Sequence, residues 1–220
     1  MQMDRSAQWA KENNRGRDCT RMLAAHDLHT LWLSRNESHD GVLGDEFLRL
    51  QMYIATVQRD RADSRLYHVR GQSRTRRKSV CDFLGTVRLQ RAGELPAETP
   101  NEPRHGILTA EYRLRENERQ SGSGLYRGVV ATLWRNDTKG EIILDDRDDG
   151  ADAYQNNTFV GIWTSYHTGK DKRCLWGDDR LPYVQGFDVG DGEIVVAPRY
   201  RKNGWETYGT NAESNDHWWR

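Results

Sequence analysis

The residues best equipped for chemistry in this chain gather between His167 and Arg180: His167, Cys174, Trp176, Gly177, Asp178, Asp179 and Arg180. An imidazole titrates near neutrality, and a neighbouring carboxylate can fix its tautomer and balance its charge. The cluster therefore supports acid/base work, with His167 and Asp178 as the pair. The competing reading makes the same segment a loop in which Asp and Gly shape turns and Trp176 caps a core. Neither a nucleophile-elbow pattern nor a zinc-protease pattern accompanies these residues.

A second candidate is the run from Arg70 to Lys78, which holds Arg70, Arg74, Arg76, Arg77 and Lys78 with Ser73 and Thr75 between them. Guanidinium groups grip phosphate and carboxylate through paired N–H donors, so a nucleotide or phosphorylated metabolite is a fitting partner, and a nucleic acid less so. If the run is extended, Arg70, Arg74 and Arg76 share one face and Arg77 takes the other. The alternative is a charged edge that discourages strand-to-strand association. Residues 59–91 carry ten Arg or Lys against three Asp, and residues 141–152 carry six acids against one Arg. Two patches of opposite sign follow, although the whole chain is neutral. No Gly-rich phosphate loop of Walker or Rossmann form is present, which argues against an NTPase or a dinucleotide-dependent enzyme.

Metal chemistry has weaker signals. Cys19, His26 and His29 are zinc-type ligands, but no fourth ligand stands at a helpful spacing. Asp145, Asp149 and Gly150 suggest a calcium loop, yet the register puts Arg147 and Asn156 where acidic ligands belong. The expectation is no metal and no cofactor. At the C-terminus, Trp205, Tyr208, His217, Trp218 and Trp219 could stack on a ligand, anchor a protein partner, or cover the protein's own barrel mouth or sheet edge.

These groups need a scaffold, and the hydrophobic pattern says which. From about residue 47 to residue 200, apolar residues recur at every second position in segments separated by turn-forming residues, the signature of half-buried strands. Leu48, Leu50, Met52 and Ile54 form one such face, as do Cys81, Phe83, Gly85, Val87 and Leu89. Further strands are read at 66–69, 108–114, 125–134, 142–144, 159–166 and 194–197, whereas the Pro-rich 92–104 is a loop. Ala24, Ala25, Leu28, Leu31 and Trp32 fall at helical spacing behind Asp18, a fitting N-cap, so a helix is expected near 18–30. The fold class expected is all-β: an antiparallel up-and-down barrel of about eight strands with a short N-terminal helix. An open sandwich satisfies the same pattern. Residues 1–40 are read as a helical extension and 41–220 as the barrel domain with its Trp-rich tail.

The chain has 220 residues, 35% hydrophobic and 30% charged, with eight Trp, nine Tyr and four Phe. That aromatic content belongs to a folded chain with a small core. The N-terminal stretch is charged throughout, so neither a signal peptide nor a membrane span is read there, and a soluble, cytoplasmic protein is expected. Three widely spaced cysteines, Cys19, Cys81 and Cys174, are read as thiols.

The meandering strands, the short hairpins and the Gly-x-Trp of Gly161-Ile162-Trp163 resemble the calycin (lipocalin-like) barrels over roughly residues 45–200. The resemblance implies the barrel architecture alone, and a closed barrel of about eight strands has an interior that holds side chains or one small ligand. The leading functional expectation is accordingly a non-enzymatic barrel binding a small anionic or aromatic ligand. Tyr53, Tyr112, Trp134 and Trp163 would line the cavity, Arg70, Arg74 and Arg76 would stand at its mouth, and His167, Trp176 and Arg180 would lie nearby. The alternatives are a protein-binding module that uses the acidic loop or the tail, and an enzyme at His167 and Asp178.

Overall fold

The computed structural model describes residues 4–34, 37–76, 79–146, 154–178, 180–190, 194–210 and 217–219. Its strands are β1 (Arg17–Asp18), β2 (His39–Leu43), β3 (Leu48–Arg59), β4 (Leu66–Thr75), β5 (Ser79–Glu94), β6 (His105–Glu116), β7 (Gly124–Asn136), β8 (Ile142–Leu144), β9 (Thr158–Ser165) and β10 (Asp171–Gly177). Every pairing is antiparallel, and β2-β3-β4-β5-β6-β7-β9-β10 closes on itself where β10 meets β2. This is the expected eight-stranded up-and-down barrel. The two short strands lie off the ring, β1 on the end of β5 and β8 on the end of β7. Register shifts in β3 at Ala55 and in β5 at Gln90 bend these long strands around the ring.

The strand count was reached by a different route from the one read in sequence. The segment at 194–197 contributes only an isolated bridge, Val196 to Asp188. Besides the two-residue β1, the strands not foreseen are β2 and β10, the two that close the barrel. Their alternation is hidden because both faces are covered. In β10, Cys174 and Trp176 point inward, while Leu175 is buried on the outer face. The helix expected at 18–30 is two short ones, α2 (Thr20–Leu23) and α3 (His29–Trp32), and a separate helix, α1 (Ser6–Asn13), precedes them. Asp18 does shape the start of α2, accepting the Thr20 amide at 2.9 Å and its hydroxyl at 2.7 Å.

The α2–α3 segment lids one end of the barrel. Leu23, Leu28, Leu31 and Trp32 join the same core cluster as the inward side chains, so the helical segment and the barrel share a core. The interior is filled by a fit between large and absent side chains. An ideal Cβ on Gly41 would meet the Trp176 Cβ at 2.4 Å, one on Gly71 the Phe83 ring at 2.5 Å, and one on Gly161 the Tyr112 hydroxyl at 2.7 Å. The Phe83 ring lies over Gly71 of the neighbouring strand, and Tyr112 reaches past Gly128 of β7 to Gly161 of β9. Trp176 stacks on Phe159 with centroids 3.5 Å apart, and Tyr112 meets Phe159 edge-on at 5.2 Å.

A second core lies outside the barrel wall. Val42, Phe47, Ile107, Val129, Ala131, Val160 and Leu175 face outward and are covered by Trp9 of α1 and by Leu181, Val184, Phe187, Val196 and Trp205 of the C-terminal strap. Arg49 is fully buried there, paired twice with Asp40 at 2.8 and 2.9 Å and held 5.1 Å from Trp205 and 5.3 Å from Tyr208. Among the described residues no helix is long and apolar enough to cross a membrane.

Candidate functional site

The expected ligand-lining residues separate into core and surface. Tyr112, Trp134 and Trp176 point into the barrel and are 2%, 0% and 0% exposed, so they are packed core side chains. Trp163 also points inward, but its indole N–H donates at 3.0 Å to Glu116, the buried carboxylate at the far end from the lid. Tyr53 is a correction. It pairs with Gln72 on the outer face and stacks on Trp219 at 4.9 Å and 12°, because the inward run Leu50, Met52, Ile54 leaves the alternate position 53 outside.

The arginines likewise do not meet at one mouth. Arg70 and Arg74 share the outer face of β4, as the alternation requires. Arg70 is exposed, whereas Arg74 is buried, donates to Gln51 at 2.6 and 3.1 Å and lies 4.8 Å from the Trp218 ring. Arg76 sits in the β4–β5 turn with φ 51°, and Arg77 and Lys78 lie outside the described residues. The Trp-rich tail thus covers the outer wall at Tyr53 and Arg74.

The His167 cluster disperses for a topological reason. His167 is exposed in the hairpin between β9 and β10, and Asp178 follows the other end of β10, so a whole strand separates them. Arg180 pairs with Asp188 at 3.0 Å and donates to the Gly190 carbonyl at 2.7 Å, while Asp179 lies outside the described residues. Cys19, His26 and His29 form no metal-holding group among the described residues. Asp145 is ion-paired with Arg135 at 3.5 Å, and most of the acidic loop, residues 147–153, lies outside the described residues. The three cysteines are buried thiols. Burial pushes Cys19 and Cys81 up to about 11, which makes them poor nucleophiles at neutral pH.

What the fold does bring together is a different set of arginines. Beside the lid, Arg17, Arg21, Arg65 and Arg104 face one open groove of about 820 Å³, with Asp18, Thr20 and Glu94 between them. β1 positions Arg17 by pairing with Gly93 and Glu94, and Arg91 clamps the approach by donating to the carbonyls of Arg15 and Gly16 at 2.8 and 2.7 Å. Gly16 is required at φ 78°, where a side chain would strike the Glu94 carbonyl at 2.5 Å.

Both carboxylates of the groove are already engaged. Glu94 accepts from Arg104 at 2.7 and 3.1 Å and from Arg17 at 2.6 Å, and these guanidinium hydrogen bonds hold its carboxyl down at about 2. Asp18 is lowered by the hydrogen bonds from Thr20. Among the described residues, the side chains of Arg21 on α2 and Arg65 in the β3–β4 turn donate no hydrogen bond. Four guanidinium groups against two committed carboxylates make the groove a region of positive potential suited to an anion. The set is not legible in the sequence because its members come from three separated stretches, at 17–21, 65 and 104. Only Arg65 belongs to the basic segment 59–91.

Comparison with known protein families, with curated proteins and with solved structures finds no match to this chain.

Proposed function

We propose that the protein is a β-barrel that binds a small anionic ligand, of the size of a phosphorylated metabolite or nucleotide, in the arginine groove beside the lid. The observation that carries this reading is the pairing state of the groove. Its carboxylates are satisfied, and Arg21 and Arg65 keep their donors for something else. The volume of about 820 Å³ lies within the range of small-molecule sites. The ligand sits on the barrel rather than inside it, since the interior aromatics pack against one another. The tail residues Trp218 and Trp219, engaged on Arg74 and Tyr53 of their own chain, lend less support to a partner-binding role.

Binding to the native state alone raises thermal stability by mass action. The full chain is therefore expected to show a higher Tm with ATP or inorganic pyrophosphate than with sodium chloride at matched ionic strength. The double variant Arg21→Ala, Arg65→Ala should keep the unliganded Tm and lose about tenfold or more in affinity, each lost charged hydrogen bond being worth about 1.5–3 kcal/mol. A panel of phosphate and carboxylate anions that leaves the Tm unmoved, or a double variant that binds like the parent, would sink the reading.

A further inference from the structure

Ser34 and His39, five positions apart, meet the sequence-remote Asp178 at the lidded end with the connectivity of a nucleophile, a base and an orienting acid. Ser34 follows α3, His39 opens β2 and Asp178 follows β10. Because Gly177 pairs with Asp40, the next position along places Asp178 opposite His39. The Ser34 hydroxyl lies 3.0 Å from His39 Nε2, and His39 Nδ1 is hydrogen-bonded to Asp178 Oδ1.

The proton order along this chain of bonds is fixed by its ends. Asp178 Oδ2 accepts from Asn157 Nδ2 at 2.8 Å, and a carboxylate can only accept, so His39 Nδ1 carries the proton toward it. In the neutral ring Nε2 is then an acceptor, and the Ser34 hydroxyl donates to it. Ser34 Oγ in turn accepts the Ile54 amide at 2.8 Å, and the Ser34 amide donates to the Ile54 carbonyl at 3.0 Å. These bonds lock the hydroxyl in place on β3. Ser34 and His39 are 5% and 7% exposed, and the Asp178 side chain, 30% exposed, forms the solvent-facing end of this chain of bonds. Trp176 lies 5.5 Å from the His39 ring.

We infer that Ser34, His39 and Asp178 form a nucleophilic site that hydrolyses small activated esters. Ser34 Oγ bonds to the acyl carbon, its proton passes to His39 Nε2, and the carbonyl electron pair moves onto oxygen. Collapse of the tetrahedral species breaks the bond to the alcohol, which leaves with the proton from His39 Nε2. Water then repeats the sequence on the acyl-Ser34 ester, releasing the acid and restoring the serine. Asp178 is a positioning residue that holds the tautomer and balances the charge on the imidazolium.

The test uses a small fluorophosphonate, diisopropyl fluorophosphate, on the full chain, read by intact mass and peptide mapping, with p-nitrophenyl acetate turnover beside it. The expected result is one adduct per chain, on Ser34, absent in Ser34→Ala. Labelling should be slowed about 100-fold or more in His39→Gln and slowed also in Asp178→Asn, whose exposed position and retained shape favour folding. Far-UV circular dichroism of each variant separates lost chemistry from lost structure. No adduct on the parent protein, an adduct on another residue, or equal labelling rates in a folded Asp178→Asn variant overturns the proposal, and leaves the three residues as a brace between lid and barrel.

Discussion

Glu116 is the residue on which the far end of the barrel turns. Its carboxylate is buried and accepts from four donors: the Ser73 hydroxyl, the Tyr126 hydroxyl at 3.1 Å, the Trp163 indole at 3.0 Å and the Gly124 amide at 2.7 Å. Burial raises its pKa above the ordinary 4.5, and the four donors pull part of the way back. A raised folded-state pKa means that the group's contribution is full below the unfolded value and is lost as pH rises through the folded one. Measured by urea denaturation, the stability of the parent relative to Glu116→Gln should decline as pH is raised from about 4.5. The glutamine keeps the shape, and the Ser73 and Tyr126 hydroxyls can turn to accept from its amide. Glu116→Leu orphans all four donors and should cost about 3 kcal/mol or more. A leucine variant as stable as the parent would show that the network carries no net stability.

At the scale of elements, α1 is the piece whose attachment is easiest to isolate. It touches the barrel through one large side chain, Trp9, 3% exposed, whose indole donates to the Thr158 carbonyl at 3.2 Å and whose ring meets Tyr183 edge-on. The helix has neither a side-chain N-cap nor an acidic first turn, so its persistence depends on this docking rather than on local propensity. Trp9→Ala should cost about 3 kcal/mol locally. Hydrogen exchange is expected to show residues 6–13 losing protection while the amides of β5 and β6 keep theirs. Uniform loss across the barrel would mean that α1 is integral to the global unit. The same scale explains why one helix is expected where there are two. Apolar spacing over 18–32 looks like one helix, yet the lid must turn twice to seat Leu23, Leu28 and Trp32 in a round mouth.

At the scale of the whole molecule, closure depends on the β2–β10 seam, which has four paired positions where β6 and β7 have eleven. The seam is tight at Gly41, where a Cβ would stand 2.4 Å from both the Leu175 carbonyl and the Trp176 Cβ. Gly41→Ala should therefore destabilise by about 1–3 kcal/mol. The first amides to exchange should be those of β2 and β10. A variant with parental stability and protection would show that the barrel can widen there without cost.

The sequence by itself determined that this chain is antiparallel β. A period of two repeated over Leu50, Met52, Ile54 and over Phe83, Val87, Leu89 can bury a face only in a sheet, and the aromatic count supplies the core. It also marked where β3 to β7 lie, but ended β4 at Val69 where it runs on to Thr75, and began a loop at Ala92 where β5 runs on to Glu94. It could not mark β2 and β10, because a strand buried on both faces has no polar side to alternate with, and what covers the outer face of β10 lies several residues further on in the strap. Nor could it choose the histidine that serves Asp178. Proximity along the chain favoured His167, but a seven-residue strand carries Asp178 to the opposite end of the barrel, where antiparallel register sets it against His39, 139 positions away. The arginine groove has the same origin. Local composition fixes how much charge a segment carries, and only the closing of the barrel decides which charges share a surface.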